Sequence, residues 1–560
     1  MSTKSNTHPS ASPCETSTDQ TRRQFLHILG SATAGTAALA ASEATPAQGR
    51  NATRRNASVR EAVTTRVENA YRLRVDAANF QRNRPAAPSV ANDDEREFPN
   101  KIGCYSKALP HNGLGEVNLS AWDAFKNALN TGQSTAFDAI PMGGPVKLAN
   151  PQAAYTFDLE GADSHQLFLA TAPRFSSSET ASEMAEVYWQ AVTRDIHFSA
   201  YETNELINQA AVDLSRFTDF KGPRAGGLVA PSTLFRGLTP GDLTGPYVSQ
   251  FLLKDIPYGA HTIKQQYRVP VAGDDFMTGY SEWLNIQNGG APTRNITFDP
   301  MLRYIRNGRD LGEWDHRDFT YQGFLNAALI LLGYGRNALD SNNPYYSSAT
   351  QGGFSTFGGP HILDLVARVA NAGLRAAWCQ KWLVHLRLRP EAFSGCVHNL
   401  LTNAATAPIH RELLNSSVLD VVARRFGTYL LPMAYPEGCP THPAYPSGHA
   451  VIAGACVTAL KAFFNEDFVI PNPVVASADG LSLEAYTGAT LTVGGELNKL
   501  ATNVGIGRDT AGVHWRTDCI EGLKLGEAVT LSCMQDFRGT FNESFRGFRL
   551  TKFDGTTVEL

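Results

Sequence analysis

The chain is predicted to be mainly α-helical, with long connections and a few short strands. Two features carry that expectation. Runs with little Gly or Pro, notably 362–388 and 508–537, read as long helices. Elsewhere, and above all between residues 215 and 300, Gly and Pro are frequent enough to break the chain into loops and short elements. The 560 residues, 42% hydrophobic and 18% charged, suffice for a large buried core.

Taken in order, the first 47 residues read as an export leader. Thr21 to Leu26 spell Thr-Arg-Arg-Gln-Phe-Leu, a twin-arginine pattern. A mildly apolar, Ala- and Gly-rich stretch follows at 28–41, and Ala38-Leu39-Ala40 or Ala47 offers a small-residue cleavage site. A periplasmic or extracellular location is therefore expected. The stretch is too short for a stable membrane span, which needs ~20 apolar residues, and no other segment qualifies. Residues 48–100 are expected to form an N-terminal arm, with a helix over 59–80 and an irregular crossing rich in Pro, Asn and charge over 81–100. The remainder, 101–560, is expected to be one domain. Helices are predicted there over 179–195, 202–214, 323–332, 412–429 and 449–465, besides the two long runs. A short strand is expected at 490–493 and a hairpin turning at Asp554-Gly555.

The formal net charge is −4 and the charges are well mixed, so nothing favours a nucleic-acid partner. There are eight cysteines. Cys14 falls in the leader and leaves an odd set, with no C-x-x-C pair to suggest zinc or a thioredoxin-like centre. Export would permit disulfides, but the spacing assigns no pairs.

Three segments, 378–390, 435–449 and 505–518, carry the candidate chemistry. In the first, Lys381 and Arg389 stand among apolar residues at the end of a helix that Pro390 is expected to terminate. Buried cations need an anion, and no acidic residue lies nearby in that stretch. An amphipathic helix with solvent-reaching cations fits equally well. The second segment is a proline-punctuated loop running into an apolar helix. It places Ser447, Gly448 and His449 at a helix N-terminus, where free N–H groups and the dipole favour an anion. A plain Ser N-cap explains the same residues. In the third, Arg508 opens the predicted helix, and His514 and Asp518, four apart, share a face so that the carboxylate can orient the imidazole. A surface His–Asp pair is the ordinary alternative. Together, three cations, a helix start and an oriented histidine are the parts of a tetrahedral-oxyanion site.

The three segments resemble those of the vanadium haloperoxidases and the related type 2 acid phosphatases. Lys381-Trp382-x-Val384-His385 with Arg389-Pro390, Tyr435-Pro-Glu-Gly438 with Thr441-His442-Pro443, and Gly505-Ile-Gly-Arg508 are similar to algal and cyanobacterial bromoperoxidases. So are Lys107-Ala-Leu-Pro-His111 and Arg303-Tyr-Ile-Arg-Asn-Gly-Arg-Asp310. The resemblance covers roughly residues 100–540. A lysine-to-arginine spacing one residue longer than in the phosphatases, and Gly507 where phosphatases usually have serine, point the same way.

The resemblance implies a helical-bundle core of two four-helix-bundle-like halves and one vanadate per chain. It makes His514 the vanadium ligand, with Lys381, Arg389, Arg508, Ser447 and the Gly448 amide on the vanadate oxygens. His449 would be the acid–base residue, His442 a second histidine at the pocket, and Asp518 the group that orients His514. The implied reaction oxidises bromide, with chloride and iodide as further candidates, by hydrogen peroxide to a hypohalous acid. That product halogenates a small organic acceptor. A homo-oligomer is expected. Trp378, one turn before Lys381, stands where red-algal bromoperoxidases tend to have arginine and fungal chloroperoxidases tryptophan. It either dries the pocket in favour of chloride or simply packs in the core. A phosphatase using a phosphohistidine at His514, and a non-catalytic oxyanion-binding protein, are the competing readings.

Overall fold

The computed structural model describes residues 59–86 and 88–560, so the expected leader and Cys14 lie outside the described residues. Residues 58–560 form one unit. Eight helices organise it: α1 (Val59–Arg82), α2 (Ser178–Thr193), α3 (Gly308–Arg317), α4 (Gly359–Cys379), α5 (Pro390–Leu401), α6 (Gly448–Phe463), α7 (Val493–Thr510) and α8 (Arg516–Arg538). Among the described residues, no helix is long and apolar enough to cross a membrane.

α6 is the centre. It is buried at every position from Ala450 to Phe463, as a helix apolar all round must be. It packs against α4, α7 and α8. Glycines set the closest approach: a Cβ at Gly526 of α8 would lie 2.0 Å from the Val451 carbonyl oxygen, and one at Gly454 of α6 would lie 2.2 Å from that of Leu523. This side forms one apolar core with Phe324, Ile362 and Leu500. A second core gathers around α2 and α5. The strands form four separate two-stranded antiparallel pieces. One is the expected C-terminal hairpin, Arg549–Thr551 against Thr557–Glu559, with Gly555 at φ 82°.

Four local expectations change. The long run at 362–388 is not one helix. α4 continues as a π-helical turn, Gln380–His385, and Leu386 at φ 45° then breaks it. Pro390 therefore does not end that helix but opens α5, where its missing N–H costs nothing. The run at 508–537 also divides. Arg508 lies in the last turn of α7, the chain reverses at Gly512 (φ 86°), and α8 starts at Arg516. The stretch 412–429 splits into Arg411–Leu414 and Ser417–Phe426, the second capped by Ser416. No strand forms at 490–493. Thr492 makes a single bridge to Val469 and caps α7, its hydroxyl accepting from Gly495 N at 3.3 Å.

Candidate active site

The break between α4 and α5 carries the first segment into the interior. Tyr105 N donates to Leu386 O at 2.8 Å and Ala444 N to Arg387 O at 3.0 Å. The extended link 386–389 is thereby held between the chain near residue 105 and the second segment. Lys381, on the π-helical turn, is fully buried and donates to the carbonyls of Pro443 and Ala444, both at 2.8 Å. Arg389 donates to His442 O at 3.0 Å, to Val513 O at 2.6 Å, to His442 Nδ1 at 3.0 Å and to His514 Nε2 at 2.9 Å. Its fork thus ties all three segments together.

Arg389 can only donate, and this fixes the tautomer of His514. His514 Nε2 must carry a lone pair, so its proton sits on Nδ1, which donates to Asp518 Oδ2 at 2.7 Å. His442 Nδ1 lies between the Arg389 guanidinium at 3.0 Å and Pro443 O at 3.2 Å, which call for opposite tautomers, so Arg389 does not set its proton. Burial, together with Lys381 and Arg389, holds both rings well below the usual imidazole pKa, so both are neutral. The expected His514–Asp518 pair forms, but not along one helix face. His514 precedes α8, and Asp518 folds back from its first turn to accept the Trp515 amide at 3.2 Å as well.

Asp518 belongs to a relay that sequence reasoning missed. Its Oδ1 accepts from Arg387 at 2.8 Å. Arg387 also pairs with Glu183 of α2 at 2.7 Å, and Glu183 accepts the Thr517 amide at 2.6 Å. Arg387 stands in the same run as Lys381 and Arg389, but nothing in the run says which of its two arginines faces the pocket. Glu183 lies in a helix with no motif.

Ser447 is buried and caps α6, its hydroxyl facing Ala450 N at 3.4 Å, while its own amide donates to Asp518 O at 2.9 Å. A Cβ at Gly448 would come to 4.0 Å from Lys381 Cε and 3.5 Å from the Trp378 ring, so the helix start faces the lysine. Trp378 is half-buried, donates from Nε1 to Ala149 O at 3.2 Å, and lies with its ring 4.8 Å from that of His442. His449 keeps 30% of its side chain exposed and donates from Nε2 to Asp318 Oδ1 at 3.0 Å. Asp318 caps the C-terminus of α3 and was also missed, since 131 residues separate it from His449.

Arg508 donates to Asp315 O at 2.9 Å and to the Tyr435 hydroxyl at 3.4 Å, while its Nε has no partner. A Cβ at Gly507 would fall 1.8 Å from Asp315 Oδ2, so the glycine makes room for that carboxyl. Burial, then the nearby Asp318, push the Asp315 carboxyl well above its usual pKa. His385, part of the quoted motif, stays out of the pocket. It lies edge-on to Tyr445 at 4.8 Å with neither ring nitrogen bonded.

The charge balance tests whether vanadate fits. Among the described residues, most buried cations elsewhere are ion-paired, such as Lys107 with Glu391, Arg387 with Glu183 and Asp518, Lys499 with Glu496, and Arg516 with Glu186; Lys461, outside the three segments, instead donates to Asn498 Oδ1 at 3.2 Å and Thr551 O at 2.5 Å. Lys381, Arg389 and Arg508 bond only carbonyls, imidazoles and a phenol. Burial and Arg389 push the Lys381 ammonium well below its usual pKa. Three desolvated cations without a carboxylate, the orphaned Arg508 Nε and a lone pair on His514 Nε2 suit an oxyanion whose central atom accepts a nitrogen ligand.

Residues 368–543 match the family described as the VCPO second helical-bundle domain. The chain is 36% identical to a vanadium-dependent bromoperoxidase of Ascophyllum nodosum, over 88% of this chain and 92% of that protein. It is 34% identical to that of Corallina pilulifera, over 89% and 98%. Its fold is similar to the homohexameric second vanadate-dependent bromoperoxidase of Ascophyllum nodosum, with a TM-score of 0.86 and 32% identity, covering 93% of this chain and 94% of that one.

Proposed function

Since the chain belongs to the vanadium-dependent haloperoxidases, we propose that it oxidises bromide with hydrogen peroxide at this pocket and passes the oxidised halogen to small organic nucleophiles. The observation that carries the reading is the group of three unpaired buried cations around the His514 lone pair. One vanadate per chain would be held by His514 Nε2, by Lys381, Arg389 and Arg508, and by Ser447 with the Gly448 amide at the start of α6. When bound, vanadate supplies a Lewis acid that activates hydrogen peroxide toward a halide.

The protein's own groups have separable tasks. Lys381, Arg389 and Arg508 present fixed positive charge in a dry site, where it acts most strongly on charge that develops during reaction. Asp518 keeps the proton on His514 Nδ1 and therefore the lone pair on Nε2. Oxidation of one bromide by one hydrogen peroxide takes up one proton and yields hypobromous acid and water, so a residue must deliver that proton. His449 is suited to it: Asp318 fixes the Nε2–H and leaves Nδ1 to exchange protons with the partly open pocket. His442 brings a second, neutral imidazole to the pocket, its ring beside that of Trp378.

The test is bromination of a simple diketone by vanadate-free and vanadate-loaded protein, with bromide or chloride. No vanadate-, peroxide- and bromide-dependent product would sink the proposal. Hydrolysis of a phosphate ester by the vanadate-free protein, lost on loading, would favour the phosphatase reading.

The homohexameric relative supports a homo-oligomer. The twin-arginine segment at Arg22-Arg23 supports export to the periplasm or beyond. A mature N-terminus beginning after Ala40 or Ala47 would bear this out, and a cytoplasmic protein retaining Met1 would not.

A further inference from the structure

α1 carries large apolar side chains that the chain leaves in water. It is 24 residues long, hence about 36 Å. Val63, Val67, Tyr71 and Val75 follow one another at four-residue intervals along one flank, and Tyr71 is 63% exposed. Leu73 and Phe80, exposed as well, run down the other flank. Between the flanks, Ala70, Ala77 and Gln81 turn toward the body of the protein, and of these only Gln81 is fully buried. Such a helix draws most of its stability from packing an apolar stripe; among the described residues, this one meets the body of the protein along its narrow alanine row, at Leu73, which lies beside Gly539, and at its C-terminal end.

That end shares an anchor with a second apolar surface. Gln81 Nε2 donates to Asp536 Oδ1 at 2.7 Å, and Asp536 Oδ2 accepts the Gly161 amide at 2.8 Å. Gln166 Nε2 donates to Gln81 O at 3.0 Å. The loop 156–168 is thereby tied to the foot of α1 on the C-terminal half of α8. It exposes Phe157, Phe168 and Leu159, the last at 96%. Soluble monomers rarely group so many large apolar side chains in the open.

We propose that this surface, α1 together with the 156–168 loop, is where a second copy of the chain docks across a two-fold axis. The proposal rests on the homo-oligomer reading above and adds the contact that builds the oligomer. The area agrees: half the circumference of a helix ~10 Å wide and ~36 Å long is on the order of 600 Å². The loop brings the total near the ~800 Å² per partner typical of stable interfaces. A two-fold axis makes the contact isologous, so one self-complementary patch serves both copies. Antiparallel pairing of α1 with its mate would put the axis near the midpoint of Val59–Arg82 and set Tyr71 beside its own counterpart.

The experiment uses full-length, vanadate-loaded protein. Light scattering after gel filtration should give an oligomer for the parent. Val67→Glu with Tyr71→Glu, and separately Leu159→Glu with Phe168→Glu, should each lower the mass at least twofold while vanadate-dependent activity per chain persists. A second measurement does not depend on disrupting the surface. Tyr71→Cys treated with a short bis-maleimide should give a covalent dimer, and the parent should not. A monomeric parent would overturn the homo-oligomer reading itself. An oligomeric parent whose variants keep its mass, or whose Tyr71→Cys form gives no dimer, would overturn this surface alone.

Discussion

Replacing Asp518 with asparagine isolates the relay behind His514. The side chain keeps its shape, but it must now present an amide NH₂ to one of its partners. Turned toward Arg387, whose guanidinium stands 2.8 Å from Oδ1, the NH₂ sets donor against donor. Turned toward His514, it forces the ring proton onto Nε2, which then faces the Arg389 guanidinium at 2.9 Å, again donor against donor. Either way one charge-assisted bond worth ~1.5–3 kcal/mol is lost. Arg387 keeps its pair with Glu183, so the fold should survive. Disturbing a group that orients a metal-binding histidine costs roughly 10–100-fold in affinity, equivalent to about 1.4–2.8 kcal/mol. Calorimetric titration of vanadate-free Asp518→Asn with orthovanadate should show that weakening, with a melting temperature within a few degrees of the parent. A dissociation constant within threefold of the parental value would refute the reasoning, because the lone pair on Nε2 would then not depend on the carboxylate.

Further outcomes are expected elsewhere. Asp318→Ala should lower kcat by about 100-fold, the lower range for loss of acid–base catalysis, while vanadate binds within threefold of normal, because Asp318 positions His449 rather than the cofactor. Equal losses in both would place Asp318 in the fold instead. Gly507→Ser drives its Cβ to 1.8 Å from Asp315 Oδ2. It should cost roughly 1–3 kcal/mol by overpacking and weaken vanadate binding through Arg508, readable by thermal melting and titration. Trp378→Arg puts a cation where the ring now lies against His442, so chlorination should fall relative to bromination in paired diketone assays. Equal loss of both would leave Trp378 a packing role alone. His385 is held down to a pKa of about 3, by burial first and then by Arg387, against an ordinary value of 6.5. Between those values the unfolded chain binds the extra proton, so stability falls as pH drops below 6.5, by at most about 1.4 kcal/mol per pH unit. His385→Phe should flatten the melting-temperature curve between pH 6.5 and 4, and a variant that keeps the parental acid slope would contradict this.

The division between sequence and tertiary structure follows the range of the physics. Lys381, Arg389, the Ser447-Gly448-His449 start of α6, Arg508 and the His514–Asp518 pair were legible because each sits in a short run whose apolar neighbours, prolines and glycines declare burial or a helix end. The mainly helical class and the C-terminal hairpin were legible for the same reason, since periodicity and a Gly turn act over a few residues. Helix boundaries were less so. The links 386–389 and 511–515 are buried like the helices they join, and no Pro or run of polar residues marks the breaks that backbone geometry makes at Leu386 and Gly512.

What only the tertiary structure decided is which charges are spoken for. Arg387 and Arg389 are two residues apart and chemically alike. One is neutralised by Glu183 and Asp518, and the other is left to the pocket with Lys381 and Arg508. One of the carboxylates that make this difference, Glu183, comes from α2, 204 residues away, and carries no local signature; the same holds for Asp318 at the end of α3, which positions His449. A sequence displays its cations. Whether a cation is paired or free to hold an anion depends on distances of 3–4 Å that only the folded chain sets.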